Sequence, residues 1–179
     1  MSKRLFTGIE LPDSIKEQLA ALPKNLPDIH WAKAASMHVT MRFLGEQPEP
    51  AFECIHAALE YVTAEAFSLT LSGLGYFSGK GGGVLWAGLE PSPDLQNLKM
   101  LIDLVLHERC GIKPEQRPYA PHITIGRMRM VHKQSLEAYI EKYGRAIRFR
   151  VAVNNFVLFS SVLQPLGALH HPEARYLLV

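Results

Sequence analysis

The chain has 179 residues, 47% of them hydrophobic, which is enough to bury one domain core and excludes a disordered chain. Its 19 basic and 17 acidic residues leave a formal charge of +2, so electrostatics alone would not hold it on a nucleic acid. No run approaches 18 apolar residues, and residues 1–11 offer no signal-peptide cleavage site. Cys54 and Cys110 lack the spacing of a disulfide scaffold or a zinc site. We therefore expect a protein of the reducing cytoplasm that makes no membrane contact and acts as a monomer.

The first part of the chain alternates strand and helix patterns. A strand pattern ends at Pro12, and Asp13 can then cap a helix. A second helix has apolar residues at helical spacing over residues 52–62. Period-two patterns predict strands at residues 5–11, 38–44, 67–74 and 84–89, with a glycine-rich connection around residues 79–83.

The second part repeats this order. Ser92 and Pro93 form a cap and first-turn pair that begins a third helix, and a fourth helix ends at Gly144. Strand patterns cover residues 122–126, 149–153, 156–159 and 176–179. The sequence therefore predicts an α+β fold: one bilobal domain of residues 1–179, with pseudo-repeats at about 1–90 and 91–179. We expect two mostly antiparallel sheets flanked by helices, with the active-site cleft between the lobes.

One tetrapeptide pattern, histidine, apolar, threonine, apolar, occurs once in each repeat. The copies are His38-Val39-Thr40-Met41 and His122-Ile123-Thr124-Ile125, and each opens a predicted strand. Alternate residues of a strand share a face, so the histidine and threonine of each copy project together while the apolar residues enter the core. An approximate two-fold relation between the lobes would bring both polar pairs to one groove.

Two imidazoles and two hydroxyls can carry out phosphodiester chemistry. A neutral imidazole can accept a proton from the attacking water or hydroxyl group, and a protonated imidazole can donate one to the departing oxygen. The hydroxyls can bind the phosphoryl oxygens, so no metal or other cofactor is expected. A single His-x-Thr on a strand is usually an exposed polar face. Two copies at equivalent strand starts favour the catalytic interpretation.

Several further segments accompany the motifs. They are Arg4-Leu5-Phe6 with Ile9, Leu11 and Pro12; Phe43-Leu44-Gly45-Glu46; Val84-Leu85-Trp86; and Pro121 before the second motif with Arg127 after it. With these segments and the two motifs combined, the chain resembles the two-histidine (2H) phosphoesterases, and among them the LigT-like RNA 2′,3′-cyclic phosphodiesterases, also called 2′-5′ RNA ligases. The resemblance covers nearly the whole chain.

This resemblance implies an activity and a set of site residues. It implies hydrolysis of a terminal 2′,3′-cyclic phosphate on RNA to a 2′-phosphate without metal or ATP, and reversible 2′-5′ joining in some members. We assign His122 as the base and His38 as the acid, although the symmetry of the motifs makes the swapped assignment almost as good. Thr40 and Thr124 would hold the non-bridging oxygens, and Arg127 would contact the phosphate or stack on the terminal base.

Strand parity complicates two of the neighbouring positions. Strict alternation places Arg127 on the opposite face from His122, so its role requires a bend or strand end near Gly126. Phe43 has the same parity problem, and its favoured role is core packing rather than base stacking.

Three more residues lie close to the motifs. Arg42 shares the parity of His38, which makes it either a contact for the RNA backbone or a solvated surface arginine. Arg117 and Tyr119 precede the second motif and could line the groove.

Other patterns are weaker. Residues 73–80 fail the phosphate-loop pattern at two positions, and they are interpreted as a mobile hairpin connection. His170 and His171 suggest a metal site only superficially and are interpreted as a surface loop. Two alternative functions stay open. They are hydrolysis of small cyclic nucleotides or 2′-5′ oligonucleotides, and RNA binding without turnover.

Overall fold

The computed structural model describes residues 2–165 and 167–179, so Met1 and Leu166 lie outside it. In chain order its elements are β1 (Ser2–Glu10), α1 (Asp13–Ala20), β2 (Ile29–Trp31), β3 (His38–Pro48), α2 (Glu49–Leu59), β4 (Phe67–Gly79), β5 (Gly82–Leu89), α3 (Pro93–Cys110), β6 (Ile123–Met128), α4 (Lys133–Gly144), β7 (Arg148–Val153), β8 (Asn155–Gln164) and β9 (Gly167–Leu177). The predicted helices and strands are present, and Ser92 caps α3 by accepting from the backbone N–H of Leu95 at 3.2 Å. Among the described strands, β2 and most of β9 lie outside the predicted elements, and β2 is too short to show a period.

The strands form an antiparallel sheet, which confirms the α+β class. Within the described residues it has nine strands in the order β7-β4-β5-β6-β3-β1-β8-β9, and β2 pairs with β6. The two sheets expected from the sequence are therefore the two halves of one sheet. A single residue pair between β3 and β6, Val39 with Ile123, joins them.

The two halves of the sheet do not follow the predicted repeats. One half contains β3, β1, β8 and β9, and the other contains β6, β5, β4 and β7. Each half thus takes strands from both sides of residue 90, because the β4–β5 hairpin pairs with β6 while the β8–β9 hairpin pairs back onto β1. The boundary near residue 90 therefore does not coincide with the boundary between the halves of the sheet.

The helices cover one face of the sheet. Their apolar side chains, including Ile55 of α2 and Leu98 of α3, share a buried cluster with Val39 and Ile123. Val39 and Ile123 are each 0% exposed. Because strand side chains alternate, their polar neighbours project from the face opposite to the helices.

Cys54 and Cys110 form a disulfide, with Cα atoms 6.0 Å apart. This corrects the expectation that the spacing of the two cysteines does not fit a disulfide. They are 56 residues apart in sequence, and the packing of α2 against α3 brings them together. None of the described helices is both long and apolar enough to cross a membrane.

Arg42 lies on the helix side of the sheet, which corrects its placement near the groove. In the β1–β3 register, Gly8 pairs with Thr40 and Thr7 with Arg42, so one extra β3 residue is bulged out and the alternation reverses. Arg42 is 5% exposed. Its guanidinium lies 3.5 Å from Asp103 and 3.3 Å from Glu115, and it donates to the carbonyl of Lys113.

We predict that Arg42→Ala destabilises the fold by about 3 kcal/mol, because it leaves the buried carboxylate of Asp103 facing fewer cations. Urea unfolding monitored by circular dichroism measures the change. The matched control is Arg148→Ala, which breaks an exposed pair with Glu90 and should cost no more than about 0.5 kcal/mol. Equal effects of the two substitutions would contradict this account.

Candidate active site

The two sequence motifs meet where the halves of the sheet join. Val39 lies directly opposite Ile123 on an antiparallel neighbour, so His38 is placed beside Thr124 and Thr40 beside His122. This pairing creates a local two-fold relation between the motifs. The structure therefore brings both histidines and both threonines to one site, on the face of the sheet away from the helices.

Both motif histidines are oriented by the same backbone contact. Nδ1 of His38 lies 2.8 Å from the carbonyl oxygen of Ser36, and Nδ1 of His122 lies 2.8 Å from that of Ala120. A carbonyl oxygen only accepts, so each Nδ1 carries the hydrogen and donates it. In a neutral ring, Nε2 is then the atom with a free lone pair. Nε2 of His38 accepts from the hydroxyl of Thr40 at 3.0 Å.

Aromatic side chains enclose the imidazole of His38. Its ring centroid lies 4.7 Å from Phe6, 6.0 Å from Phe159 and 5.0 Å from His170. Phe6 and Phe159 belong to a small buried apolar cluster on this face. The enclosure lowers the pKa of His38 to about 4, first through desolvation and then through the proximity of the His170 imidazole. The His122 imidazole and the Arg127 guanidinium act in the same direction, whereas the hydrogen bond to Ser36 opposes the shift.

His122 has a different neighbourhood. Its ring contacts Phe77 edge-on, with centroids 5.0 Å apart, and Phe77 in turn packs on Trp86 at 5.2 Å. Trp86 lies across Gly75, where an added Cβ would come within 2.1 Å of the indole ring. Phe77 is 41% exposed. The two histidines are thus equivalent in the backbone and unequal in their surroundings.

Arg127 lies on the same face as the motif histidines, because β6 carries the bulge that its role requires. Leu85 pairs with Gly126 and Trp86 with Thr124, so Ile125 is the extra residue. This bulge is equivalent to the one in β3. Arg127 is exposed, and its charge contributes to the lowered pKa of His38, which places the guanidinium near both motifs.

Phe43 is also on this face, so its expected role in core packing is wrong. It follows His38 by five residues, just as Arg127 follows His122, and the bulge in β3 turns its side chain outwards. Phe43 is 57% exposed, and its ring lies 6.0 Å from Phe6. Phe43 and Arg127 therefore occupy equivalent positions in the two halves of the site.

Tyr119 connects the two motifs through the core instead of lining the groove. Its hydroxyl donates to the carbonyl of Thr40 at 2.9 Å and contacts the sulfur of Met41 at 3.3 Å. Its ring packs against the main core cluster, and burial raises the pKa of its hydroxyl above the usual range. Arg117 is exposed on the segment that leads to β6.

His170 and His171 are part of β9, so their assignment to a surface loop is wrong. His170 pairs with Ser161 and His171 with Ser160 of β8. The residues preceding 170 have no regular apolar alternation, and only a turn signal at Pro165 and Gly167 suggests a hairpin. Residues 73–80 likewise form a hairpin arm, since β4 continues to Gly79 and pairs with Gly82. Among residues 2–165 and 167–179, no group of three His, Cys, Asp or Glu side chains could hold a metal ion.

Comparison with known proteins agrees with this geometry. The family model of the 2′-5′ RNA ligase superfamily matches residues 11–162. The RNA 2′,3′-cyclic phosphodiesterase of Archaeoglobus fulgidus is 28% identical over 93% of this chain and 96% of its own length. That of Thermotoga maritima is 30% identical, with 93% and 91% covered.

A solved structure extends the comparison to the whole fold. Escherichia coli LigT, crystallised with 3′-AMP, superposes with a TM-score of 0.84 at 25% identity, covering 100% of this chain and 99% of that one. The similarity thus includes both halves of the sheet and the junction between them. With its two motifs paired at that junction, this chain belongs to the 2′-5′ RNA ligase superfamily.

Proposed function

We propose that this protein hydrolyses the 2′,3′-cyclic phosphate at the end of an RNA chain to a 2′-phosphate. The observation that carries the proposal is the pairing of Val39 with Ile123, which sets the polar residues of both motifs around one point. The names of the Archaeoglobus and Thermotoga relatives support the reaction. The 3′-AMP complex of LigT supports a site that accepts nucleotides.

The asymmetry of the site supports a division of roles between the histidines. His38 is held neutral by its aromatic enclosure, and its Nε2 lone pair becomes available when the Thr40 hydroxyl turns away, so we propose it as the general base. His122 lies outside that enclosure and would enter the reaction protonated as the general acid. This reverses the assignment favoured by the sequence alone, where the two motifs are nearly identical and burial is not visible.

Water is the nucleophile in the proposed hydrolysis. Nε2 of His38 takes one proton from water as its oxygen forms the new bond to phosphorus. The bond between phosphorus and the 3′ oxygen breaks, and His122 donates a proton to that oxygen. The phosphate stays on the 2′ oxygen. A 5′-hydroxyl group in place of water would give a 2′-5′ linkage by the same proton transfers, which accounts for ligation as a second outcome of one geometry.

The remaining polar groups would hold the phosphate. The hydroxyl of Thr40, which bonds to His38 in the free protein, can turn to a phosphoryl oxygen, and Thr124 is placed to do the same from the other strand. Arg127 offers a bidentate guanidinium to the anionic oxygens. Donors on both strands would stabilise the charge that develops on the oxygens as the attacking bond forms.

The exposed aromatic rings favour a substrate that brings more than one base to the site. Phe43 lies on the His38 side and Phe77 on the His122 side, and each exposes a large part of its ring. Stacking on such rings is sequence-tolerant and suits an RNA end. Small cyclic nucleotides and 2′-5′ oligonucleotides share the phosphate geometry. They are separated from RNA ends by comparing kcat/KM on an oligonucleotide with that on a cyclic mononucleotide.

We also propose an oligomeric state and a cellular location for the protein. One chain supplies both halves of the site, so a monomer suffices, and no step above requires a cofactor. We propose the cytoplasm as its location, since the substrate of the proposed reaction is RNA. The Cys54–Cys110 bond joins helices on the opposite face of the sheet, so its reduction would leave the site residues in place.

We predict that His38→Ala and His122→Ala each lower kcat on a cyclic-phosphate oligonucleotide by roughly 10²–10⁴, the range for a positioned proton-transfer group. His107→Ala, at an exposed position on α3, is the matched control and should retain full activity. The assays are run in excess EDTA, and wild-type turnover should persist there. A folded His38 or His122 variant with normal turnover would contradict the mechanism, as would activity that EDTA abolishes and a divalent ion restores.

The enclosure of His38 predicts an unusual pH dependence. His38 must be neutral to accept a proton, so kcat/KM falls as the pH drops through the pKa of His38, which lies at about 4 in the free protein. The acid limb should therefore lie well below the ordinary histidine value of about 6.5. Rapid assays between pH 3.5 and 8 locate it. An acid limb at the ordinary histidine value would count against His38 as the enclosed base.

We predict that Arg127→Ala lowers kcat/KM by roughly 10², since it removes a charge-assisted contact to the phosphate. Arg127→Lys should recover only part of the loss, because lysine lacks the bidentate fork. Arg129→Ala is the control, an exposed arginine two residues along the same chain segment, and should remain within about twofold of wild type. Equal losses for Arg127→Ala and Arg129→Ala would indicate a general charge effect instead.

A further inference from the structure

A third imidazole, that of His170, lies against the site. The ring of His170 is 5.0 Å from that of His38, with the two planes at 86°, and 5.0 Å from Phe6, with planes at 78°. Its Nδ1 is buried and has no hydrogen-bond partner among the described residues. Neither the two motifs nor the proposed proton transfers use this side chain.

The position of His170 completes the surroundings of His38. Within the ring plane, Ser36 and Thr40 hold the two nitrogens of His38, and Phe6 packs on the ring with planes at 32°. The side towards β9 is covered by His170. Without the His170 ring, water could reach the imidazole of His38 from the β9 side. The His38 imidazole could then also tilt away from the orientation set by its two hydrogen bonds.

The other charged groups around His38 come from three strands. His122 lies just before β6 and Arg127 lies on it, and both act on His38. Glu10 pairs with His38 in the β1–β3 register, but its carboxylate is bound by Arg175 at 2.6 Å. On β9, burial and the neighbouring His171 lower the pKa of His170, so it is neutral beside His38 at neutral pH. Among the described residues, no carboxylate is therefore a main contributor to the pKa of His38.

We propose that His170 is a positioning residue for His38: its ring closes the enclosure and keeps the imidazole dry and aligned for proton transfer. This inference rests on the proposed function, because it assigns His170 to the base of that reaction. This role requires an aromatic ring at position 170. Phenylalanine would preserve the role, whereas a small side chain would open the enclosure.

The test combines two readouts on four variants. His170→Ala and His170→Ser open the enclosure, His170→Phe keeps a ring, and His171→Ala is the matched control at the neighbouring exposed position. The first readout is NMR titration of isotope-labelled histidine Cε1–H groups, which measures the pKa of His38 without any turnover. The second is kcat and KM on a cyclic-phosphate oligonucleotide across pH.

We expect the two truncations to raise the pKa of His38 by about 1 or more towards its ordinary value, and to shift the acid limb of kcat/KM with it. At pH 7 they should lower kcat about tenfold with little change in KM, because alignment is lost and not binding. His171→Ala should stay close to wild type on both readouts. His170→Phe should keep kcat close to wild type and raise the pKa of His38 less than the truncations do, because the ring still excludes water and only the charge of the imidazole is lost.

Folded truncations whose His38 pKa is unchanged would overturn the proposal, as would a kcat loss without any pKa change. If wild type failed to hydrolyse cyclic phosphates, the proposed function would fail separately, since the titration reports the His170–His38 contact on its own.

Discussion

A single antiparallel residue pair, Val39 with Ile123, determines the geometry of the whole site. It joins the two halves of the sheet, and it places the polar partners of each motif beside those of the other. Both residues are fully buried against the helices, so the packing of the core holds the pair in register. A slip of one residue would turn the histidines and threonines to the helix side and leave no site. The packing of Val39 and Ile123 in the core therefore also aligns the catalytic side chains.

The backbones of the two motifs are related by a local two-fold, whereas the side chains around them differ. Equivalent bulges after Thr40 and Thr124 turn the residue five places beyond each motif histidine towards the site. One half presents a phenylalanine there and the other presents Arg127. Aromatic rings enclose His38, while His122 keeps one edge-on contact with Phe77. The proposed reaction needs one base and one acid. The different surroundings of the two histidines suit it, because they keep one imidazole neutral and leave the other able to carry a proton.

Much of this organisation could be predicted from the sequence, and the remainder depends on long-range pairing. The repeated motifs located the histidines and threonines, and periodicity located most helices and strands. The bulges could not be found, because counting parity along a strand assumes strict alternation. Arg42 was therefore expected either to contact the RNA backbone or to be solvated at the surface, and Phe43 was expected to pack in the core. Parity did show that Arg127 required a bend. His170 and the Cys54–Cys110 pair depend on which strands and helices become neighbours, and one sequence carries no local signal for that.

The most direct test of the account is a crystal structure of the protein with a 2′-nucleotide, the product of the proposed hydrolysis. The account predicts that the phosphate lies over the Val39–Ile123 pair, with its oxygens within about 3 Å of Nε2 of His38 and Nε2 of His122. The base should stack on an exposed aromatic ring of the same face. A phosphate bound away from this junction, or one that contacts a single histidine while the other remains distant, would contradict it.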